Sequence, residues 1–417
     1  MTGYRCLLFR KSVGLTNGPD HGFVKKNDEF CGSNSEKNTN PQTGNYPTMN
    51  VLFDHQAFTG TPYGGVSRYF FDLMRSFVSM PGITFDLSLR LSNNEYLNQS
   101  SLSKHIRYPA FAGSPSVNRA ASLLNRQNSR QKIKAGQFDV FHPTQYHQYF
   151  LDILGSKPFV ATFYDATNER YAEQYPHIFG GHYETRKAVL QQASRIIAIS
   201  EFSKEELLRY FPVEANKIDI IHLGTTLGEH RAAAAALPRP LAAPYLLFVG
   251  KRDFYKNFDG FFRAIQPLMH RHPDLHLICA GSGQFRPDEQ ALFQAAHLDS
   301  RVHYRTFTDV TLLNLYQHAE AFVFPSLNEG FGIPVLEAFI GGCPAVLSNR
   351  SSLPEVAADA AVYFDPDQDE SIAEAIERVL TDSSLRASLR KKGTDRLSQF
   401  SCDKTARQTL AVYQSLC

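Results

Sequence analysis

From Asn50 onward, short apolar runs alternate with longer stretches in which apolar residues recur every three or four positions. The short runs read as buried strands and the longer ones as helices. In the first half the pattern predicts strands at Val51–Asp54, Phe85–Leu89, Asp139–His142, Phe159–Asp165, Arg195–Ser200 and Ile218–His222. Helices are expected at Val66–Val78, Val117–Lys134, Tyr183–Ala193 and Ser203–Tyr210. The second half repeats the arrangement, with strands at Tyr245–Gly250, Leu275–Ala280, Val302–Tyr304, Ala321–Phe324, Ala345–Leu347 and Val362–Phe364. Strands that alternate with helices predict α/β architecture, here two Rossmann-like, doubly wound domains facing across a cleft. Ligands of such domains sit outside the carboxyl ends of the strands.

The run from Arg231 to Pro240 is a low-complexity connector. The expected organisation is an extension over 1–48, a first domain over 49–230, a linker over 231–243, a second domain over 244–395 and a final segment over 396–417. The extension carries turn formers and few apolar residues between Gly32 and Pro41, so disorder is expected there. Met49 directly precedes the first strand and is a candidate alternative start.

Composition narrows the class. A length of 417 residues with 43% hydrophobic content is enough for two or three domains with sizeable cores. A net charge of +2 argues against a general polyanion binder such as a nucleic-acid protein. No apolar run reaches the roughly 18 residues that a membrane-spanning helix needs. The six cysteines lack CxxC or metal-ligand spacing; Cys279 and Cys343 read as reduced core thiols, which points to the cytoplasm.

Candidate chemistry concentrates in the second half. Glu329 and Glu337 bracket Gly330-Phe331-Gly332-Ile333-Pro334 directly after a predicted strand. The two glycines permit a tight loop with close backbone approach, and Pro334 suits a helix start. A glycine loop leading into a helix N-terminus favours an anion. On this reading Glu337 lies in the first helical turn, either as a ligand-binding carboxylate or as a simple cap. Two carboxylates beside an anion site suit a ligand with both diphosphate and hydroxyl groups, as a sugar nucleotide has. After the first strand of this half, Gly250-Lys251-Arg252-Asp253-Phe254-Tyr255-Lys256 brings three cations to a strand end. They can neutralise a diphosphate, or they can be a solvated charged loop. In the first half, Gly64 and Gly65 open a helix after the first strand, where backbone N–H groups can meet an oxyanion.

The segment from Phe322 to Pro354 resembles the Glu-x7-Glu region of retaining GT-B glycosyltransferases of family 4, also called group 1. The likeness recurs at separated motifs over most of 50–395. It implies a nucleotide diphosphate sugar as donor, a saccharide or lipid-linked acceptor, retention of anomeric configuration, and neither a metal nor another cofactor. It further implies that Arg252 (favoured over Lys251) and Lys256 stabilise the leaving diphosphate, and that Glu337 binds the ribose. Glu329, with the backbone of Gly330, Phe331, Gly332 and Ile333, would hold the sugar. Gly64 and Gly65 match the family's glycine loop, and Arg68 beside them is expected to be outward or salt-bridged. The last helix, about Cys402–Leu416, is expected to cross back to the first domain. One departure stands out: Tyr164 occupies the place of a histidine that many relatives carry before Asp165. Tyr164 and Asp165 remain candidates for sugar contact, with packing or loop capping as the alternative.

The opening Phe53-Asp54-His55-Gln56 and the turn Tyr255-Lys256-Asn257-Phe258 are similar to O-antigen transferases, which makes GDP-mannose the first expectation for the donor. Between Glu95 and Asp139 no acidic residue occurs, while Lys104, Arg107, Arg119, Arg126, Arg130, Lys132 and Lys134 do. With Leu123, Leu124 and Ile133 this gives a basic, partly amphipathic helix, either lying on an anionic membrane or forming a solvated face with no partner. Ser203 reads as a helix cap rather than a nucleophile, His222 as a packing residue or a ligand contact, and Asp365-Pro366-Asp367 as a turn rather than a metal motif. Gly281-Ser282-Gly283 lacks the third glycine of a dinucleotide fingerprint, since Arg286 stands there. The competing readings are a GT-B epimerase or phosphorylase, and a non-catalytic nucleotide-sugar-binding protein.

Overall fold

The computed structural model describes residues 48–108, 115–179, 181–252 and 254–417. The expected disorder of the extension therefore lies outside the described residues, apart from position 48, as does Asp253. The first domain contains strands β1 (Met49–Phe53), β2 (Ile83–Leu87), β3 (Leu91–Ser92), β4 (Ile106–Arg107), β5 (Val140–His142), β6 (Val160–Phe163), β7 (Arg195–Ala198) and β8 (Ile218–Ile220). They pair in parallel as β2-β1-β5 and β6-β7-β8, and a single bridge from Phe141 to Phe159 links the two groups. The short β3–β4 pair stands apart.

The second domain holds one six-stranded parallel sheet, ordered β11-β10-β9-β12-β13-β14. These strands are β9 (Tyr245–Val249), β10 (His276–Ala280), β11 (Val302–Arg305), β12 (Ala321–Phe324), β13 (Ala345–Ser348) and β14 (Ala361–Phe364). All five residues of β9 and all four of β12 and β13 are buried. Continuous apolar runs of this kind are what a parallel sheet covered on both faces requires. Chain order reverses between β9 and β12, the position at which open α/β sheets leave a crevice for ligands. The loops carrying Lys251, Lys256 and Glu329 leave from these two strands.

One hydrophobic cluster runs through both domains, from Val51 and Phe70 to Phe324, Leu336 and Tyr413. The last helix, Cys402–Gln414, belongs to it and packs on the helix Gly65–Val78 of the first domain. Polar contacts fix its register there. Thr405 Oγ1 donates to the carbonyl of His222 (2.7 Å), and Ser76 Oγ donates to Asp403 (3.1 Å). The Tyr413 hydroxyl lies 2.5 Å from His142 Nδ1, whose other ring nitrogen is 2.9 Å from Thr162 Oγ1. Burial lowers the His142 pKa to about 3, so the ring is neutral and serves as a structural hydrogen-bonding group.

The connector after 230 is ordered, against its low-complexity appearance. It forms the helix Arg231–Ala235, and Asn314 Nδ2 donates to the carbonyl of Ala234 (3.1 Å). The basic helix Pro115–Ala135 also departs from expectation. Its buried face is mostly polar, with Asn125, Asn128 and Ser129 beside Ala121 and Ile133. Asn125 Oδ1 accepts from the N–H groups of Arg90 and Leu91, each at 2.9 Å. Leu123 (57% exposed) and Leu124 (48%) face solvent. Two of the cations have acidic partners from neighbouring elements: Lys132 pairs with Asp86 and Arg107 with Glu95. Among the described residues no helix is long and apolar enough to cross a membrane, and Cys279 and Cys343 are free, buried thiols.

Candidate active site

The loop after β12 is shaped by two glycines. Gly332 adopts φ 95° and caps the helix Ile333–Ile340, a left-handed conformation that favours glycine. Gly330 is pressed against the other domain: a Cβ there would lie 1.9 Å from the carbonyl oxygen of Tyr164. The Gly330 carbonyl accepts hydrogen bonds from Ser200 Oγ (2.6 Å) and Ser203 Oγ (2.9 Å). Ser203 Oγ also donates to the Tyr164 carbonyl at 2.8 Å. The cap of the helix Glu201–Tyr210 is Ser200, not Ser203 as expected from sequence.

Lys256 and Glu329 meet at the mouth of this loop, with Nζ 2.5 Å from Oε1 and side chains 14% and 12% exposed. Burial alone would lower the lysine pKa, but the charge of Glu329 outweighs it and the shift is upward. The ammonium therefore stays charged. Its Nζ lies 5.3 Å from the centre of the Phe324 ring. Ser351 Oγ accepts from the Glu329 N–H, and Ser352 Oγ donates to its carbonyl, which fixes the peptide.

Glu337 lies elsewhere, in a cavity of about 240 Å³ between the domains that is also lined by Gly65, Arg68, Tyr96, Phe307 and Ile333. It is the fifth residue of its helix rather than part of the first turn, so the capping alternative does not apply. Tyr316 donates to its Oε2 at 3.1 Å. Burial raises its pKa to about 7, only partly offset by that hydrogen bond and by Arg68. Arg68 faces inward. Its guanidinium bridges Asp72 (3.0 Å) on its own helix and Asp309 (2.7 Å) on the second domain, and donates to Thr226 (2.7 Å). Salt bridging was the sequence expectation; an outward position was not observed.

Arg252 is a correction. Sequence reasoning favoured it as the diphosphate clamp, but it is 3% exposed and turned into the second domain. Its Nε donates to Glu289 (2.7 Å), Nη1 to the Gly281 carbonyl, and Nη2 to the carbonyls of Gly283 and Gln284. A buried guanidinium must satisfy its donors, and here the loop after β10 and Glu289 do so. Its neighbour Lys251 is exposed at the strand end and remains the candidate for that role. The Phe331 side chain is buried between His222 and Phe400 at ring distances of 5.8 and 5.7 Å. Only its backbone belongs to the loop. His222 packs there as expected and is 2.7 Å from Glu355.

Tyr164 and Asp165 stand at the end of β6 against Gly330. The Tyr164 ring packs edge-on to Tyr69 and Tyr146, and its hydroxyl donates to the Thr144 carbonyl at 3.4 Å. Burial raises its pKa well above the usual range, so it remains a phenol. Asp165 Oδ1 accepts from the Thr167 N–H, a local turn cap. Gly64 is the extended residue preceding the helix Gly65–Val78, and its carbonyl accepts from Ser67 Oγ. Asp365 and Asp367 are both bound by Arg350. The structure thus joins Lys256 to Glu329 and both to the Tyr164–Asp165 edge, places Glu337 with Gly65 and Ile333, and removes Arg252. Sequence reasoning missed Asp309, Tyr316 and Glu289. Arg68 and Asp72 at i and i+4 were the one local signal of the charged network around Asp309.

The fold is that of GT-B glycosyltransferases. The chain superposes on sucrose-phosphate synthase from Thermosynechococcus elongatus with a TM-score of 0.69 and 22% identity, covering 88% of this chain and 99% of that one. It superposes on the Anabaena protein HepE, solved with UDP-glucose, with a TM-score of 0.67 and 16% identity, over 88% and 100% of the chains. The family profile "Glycosyl transferases group 1" matches residues 231–396, and "Glycosyltransferase Family 4" matches 63–229. The chain belongs to this family of group 1, family 4 glycosyltransferases. It is 29% identical over 377 residues to O-antigen chain mannosyltransferase B of Escherichia coli, covering 85% of this chain and 97% of that protein.

Two expectations follow from the geometry. Arg252→Ala should strip Glu289 of its buried partner and lower stability by about 3–5 kcal/mol, read as a large drop in the chemical-denaturation midpoint. Unchanged stability with lost nucleotide binding would restore the clamp assignment. For Glu337, with an ordinary value of 4.5 when unfolded and about 7 when folded, the contribution to stability falls as pH rises through that window, read from denaturation midpoints at pH 5 and pH 8. Glu337→Gln should flatten this trend.

Proposed function

We propose that the chain transfers mannose from GDP-mannose to a saccharide or lipid-linked acceptor, with retention of configuration. The observation that carries this reading is the Lys256–Glu329 pair at the glycine loop, close in sequence to the cavity that holds Glu337. The similarity to an O-antigen mannosyltransferase favours mannose. The UDP-glucose complex of a structural neighbour supports a nucleotide diphosphate sugar as the donor class.

In this mechanism the bond from the sugar C1 to the β-phosphate oxygen breaks, and negative charge builds on the departing diphosphate. Lys256, Lys251 and the Ile333 N–H at the start of the helix Ile333–Ile340 stabilise that charge. Glu337 accepts from the ribose hydroxyls. Glu329 and the Gly330–Gly332 backbone hold the sugar, with Tyr164 and Asp165 at its edge. The acceptor hydroxyl attacks C1 from the side of the leaving group, and its proton passes to a phosphate oxygen. No protein nucleophile, metal or cofactor takes part. The proposal places this reaction in the cytoplasm. The exposed Leu123 and Leu124 and the cations around them (Arg119, Arg126, Arg130, Lys134) would bring the enzyme to an anionic membrane that carries the acceptor.

Lys256→Ala should lower turnover by about 10²-fold or more while leaving the fold intact, as expected for loss of a leaving-group charge stabiliser. Wild-type turnover in the folded variant would contradict the assignment. With GDP-mannose and a mannose-terminated lipid acceptor, nuclear magnetic resonance of the product should show an α-linked mannose. Free nucleotide with an epimerised sugar and no acceptor product would identify an epimerase instead. Co-sedimentation should be stronger with anionic than with neutral vesicles and should weaken in Leu123→Ser/Leu124→Ser. Equal binding to both vesicles would remove the membrane contact.

A further inference from the structure

The stretch Thr167-Asn168-Glu169-Arg170-Tyr171 follows Asp165 and forms a short helix of the first domain. Its sides have different partners. Glu169 pairs with Arg186 at 2.6 Å, with side chains 5% and 7% exposed. Arg170 pairs with Glu206 at 2.7 Å, and the Glu206 side chain is 2% exposed. Buried pairs are little screened by solvent, so these two hold the helix firmly on the body of the first domain.

Thr167 and Tyr171 are four positions apart and share another side of the helix, the one that meets the second domain. Thr167 Oγ1 accepts from Asn328 Nδ2 at 2.9 Å. The Tyr171 ring meets the Phe254 ring edge to face at 5.0 Å, and the Tyr175 ring lies 4.2 Å from the same Phe254 ring. Both partners adjoin the proposed reaction centre: Asn328 precedes Glu329, and Phe254 opens the turn Phe254–Lys256. Within the second domain the Leu327 N–H donates to the Tyr255 carbonyl at 2.8 Å and joins the two loops. The helix brackets this joint from across the cleft, holding the residue before Tyr255 and the residue after Leu327. A directional hydrogen bond at one end and an edge-to-face ring contact at the other constrain how the loops lie against each other. The Lys256 ammonium and the Glu329 carboxylate ride on these same loops, 2.5 Å apart.

We propose that the helix Thr167–Tyr171 is a positioning element: with the domains closed, Thr167 and Tyr171 grip Asn328 and Phe254 and keep Lys256 and Glu329 in the geometry that transfer needs. Opening of the cleft releases both grips together and loosens the pair, which ties the chemistry to closure. The catalytic meaning rests on the reading of Lys256 and Glu329 above, whereas the grip rests on the contacts alone.

The test uses the full chain and four variants. Thr167→Val removes the hydroxyl at nearly equal size, and Thr167→Ser keeps it. Phe254→Leu removes the ring, and Phe254→Tyr keeps it, its added hydroxyl reaching the chamber of about 530 Å³ that Phe254 lines. Turnover with GDP-mannose and the lipid acceptor should fall about 10-fold or more in Thr167→Val and Phe254→Leu, as it does when reacting groups are misplaced. It should recover in Thr167→Ser and Phe254→Tyr, and calorimetric GDP affinity should stay at the wild-type value in all four. A second readout needs no substrate: the acetylation rate of Lys256 at pH 8, followed by mass spectrometry. A loosened bond to Glu329 leaves more neutral amine, so this rate should rise about 10-fold in the same two variants and not in the conservative ones. Phe254 is half-buried, so Phe254→Leu keeps the test informative if Thr167→Val does not fold. Wild-type turnover and acetylation in folded Phe254→Leu would overturn the proposal. Equal losses in Phe254→Tyr, or lost GDP affinity in place of lost turnover, would do the same. A wild type that transfers nothing from GDP-mannose would count against the donor reading, and the acetylation rates would then decide the positioning role by themselves.

Discussion

The carbonyl oxygen of Gly330 accepts hydroxyl hydrogen bonds from Ser200 and Ser203 across the cleft, while its α-carbon rests against the carbonyl of Tyr164. This contact fixes the distance between the two domains where the Glu329 loop meets the end of β6. Any side chain at 330 would hold the domains apart, because the obstacle is backbone rather than a flexible side-chain end. Tyr164 owes its place beside the Glu329 loop to this one close approach, whereas Lys256 and Glu329 meet within the second domain.

A second set of contacts surrounds it. Arg68 joins the helix after the first strand to Asp309 of the other domain, and Glu355 accepts from the N–H groups of Glu201 and Phe202. The aromatic contact of Tyr171 with Phe254 adds a third link. The cleft is thus held by polar and aromatic contacts spaced around a central backbone joint, with a separate cavity on either set of loops.

Much of this was legible in the sequence. Strands β1, β2 and β5 to β14 announce themselves as short apolar runs, and the Glu329–Glu337 segment announces its loop through two glycines and a proline. The rest depended on partners far along the chain. Arg252 and Lys251 are adjacent cations with opposite fates, and the difference lies in Glu289, which no local pattern connects to them. The sequence leaves Arg68 outward or salt-bridged, and its partner Asp309 lies too far along the chain for a local pattern to name it. The helix Pro115–Ala135 reversed the usual rule, since Asn125 and Ser129 bury hydrogen-bonding groups that a hydrophobic pattern cannot register. The pair β3 and β4 has two residues per strand, too few for any alternation to show.

The docking of Tyr413 against His142 has a consequence for biogenesis. A ribosome delivers the first domain's strands long before it delivers the helix that covers them. The surface destined for Cys402–Gln414 therefore stays open to water, or to a chaperone, throughout most of translation. Completion of the amino-terminal half thereby waits for synthesis of this helix, and its removal damages the domain made first.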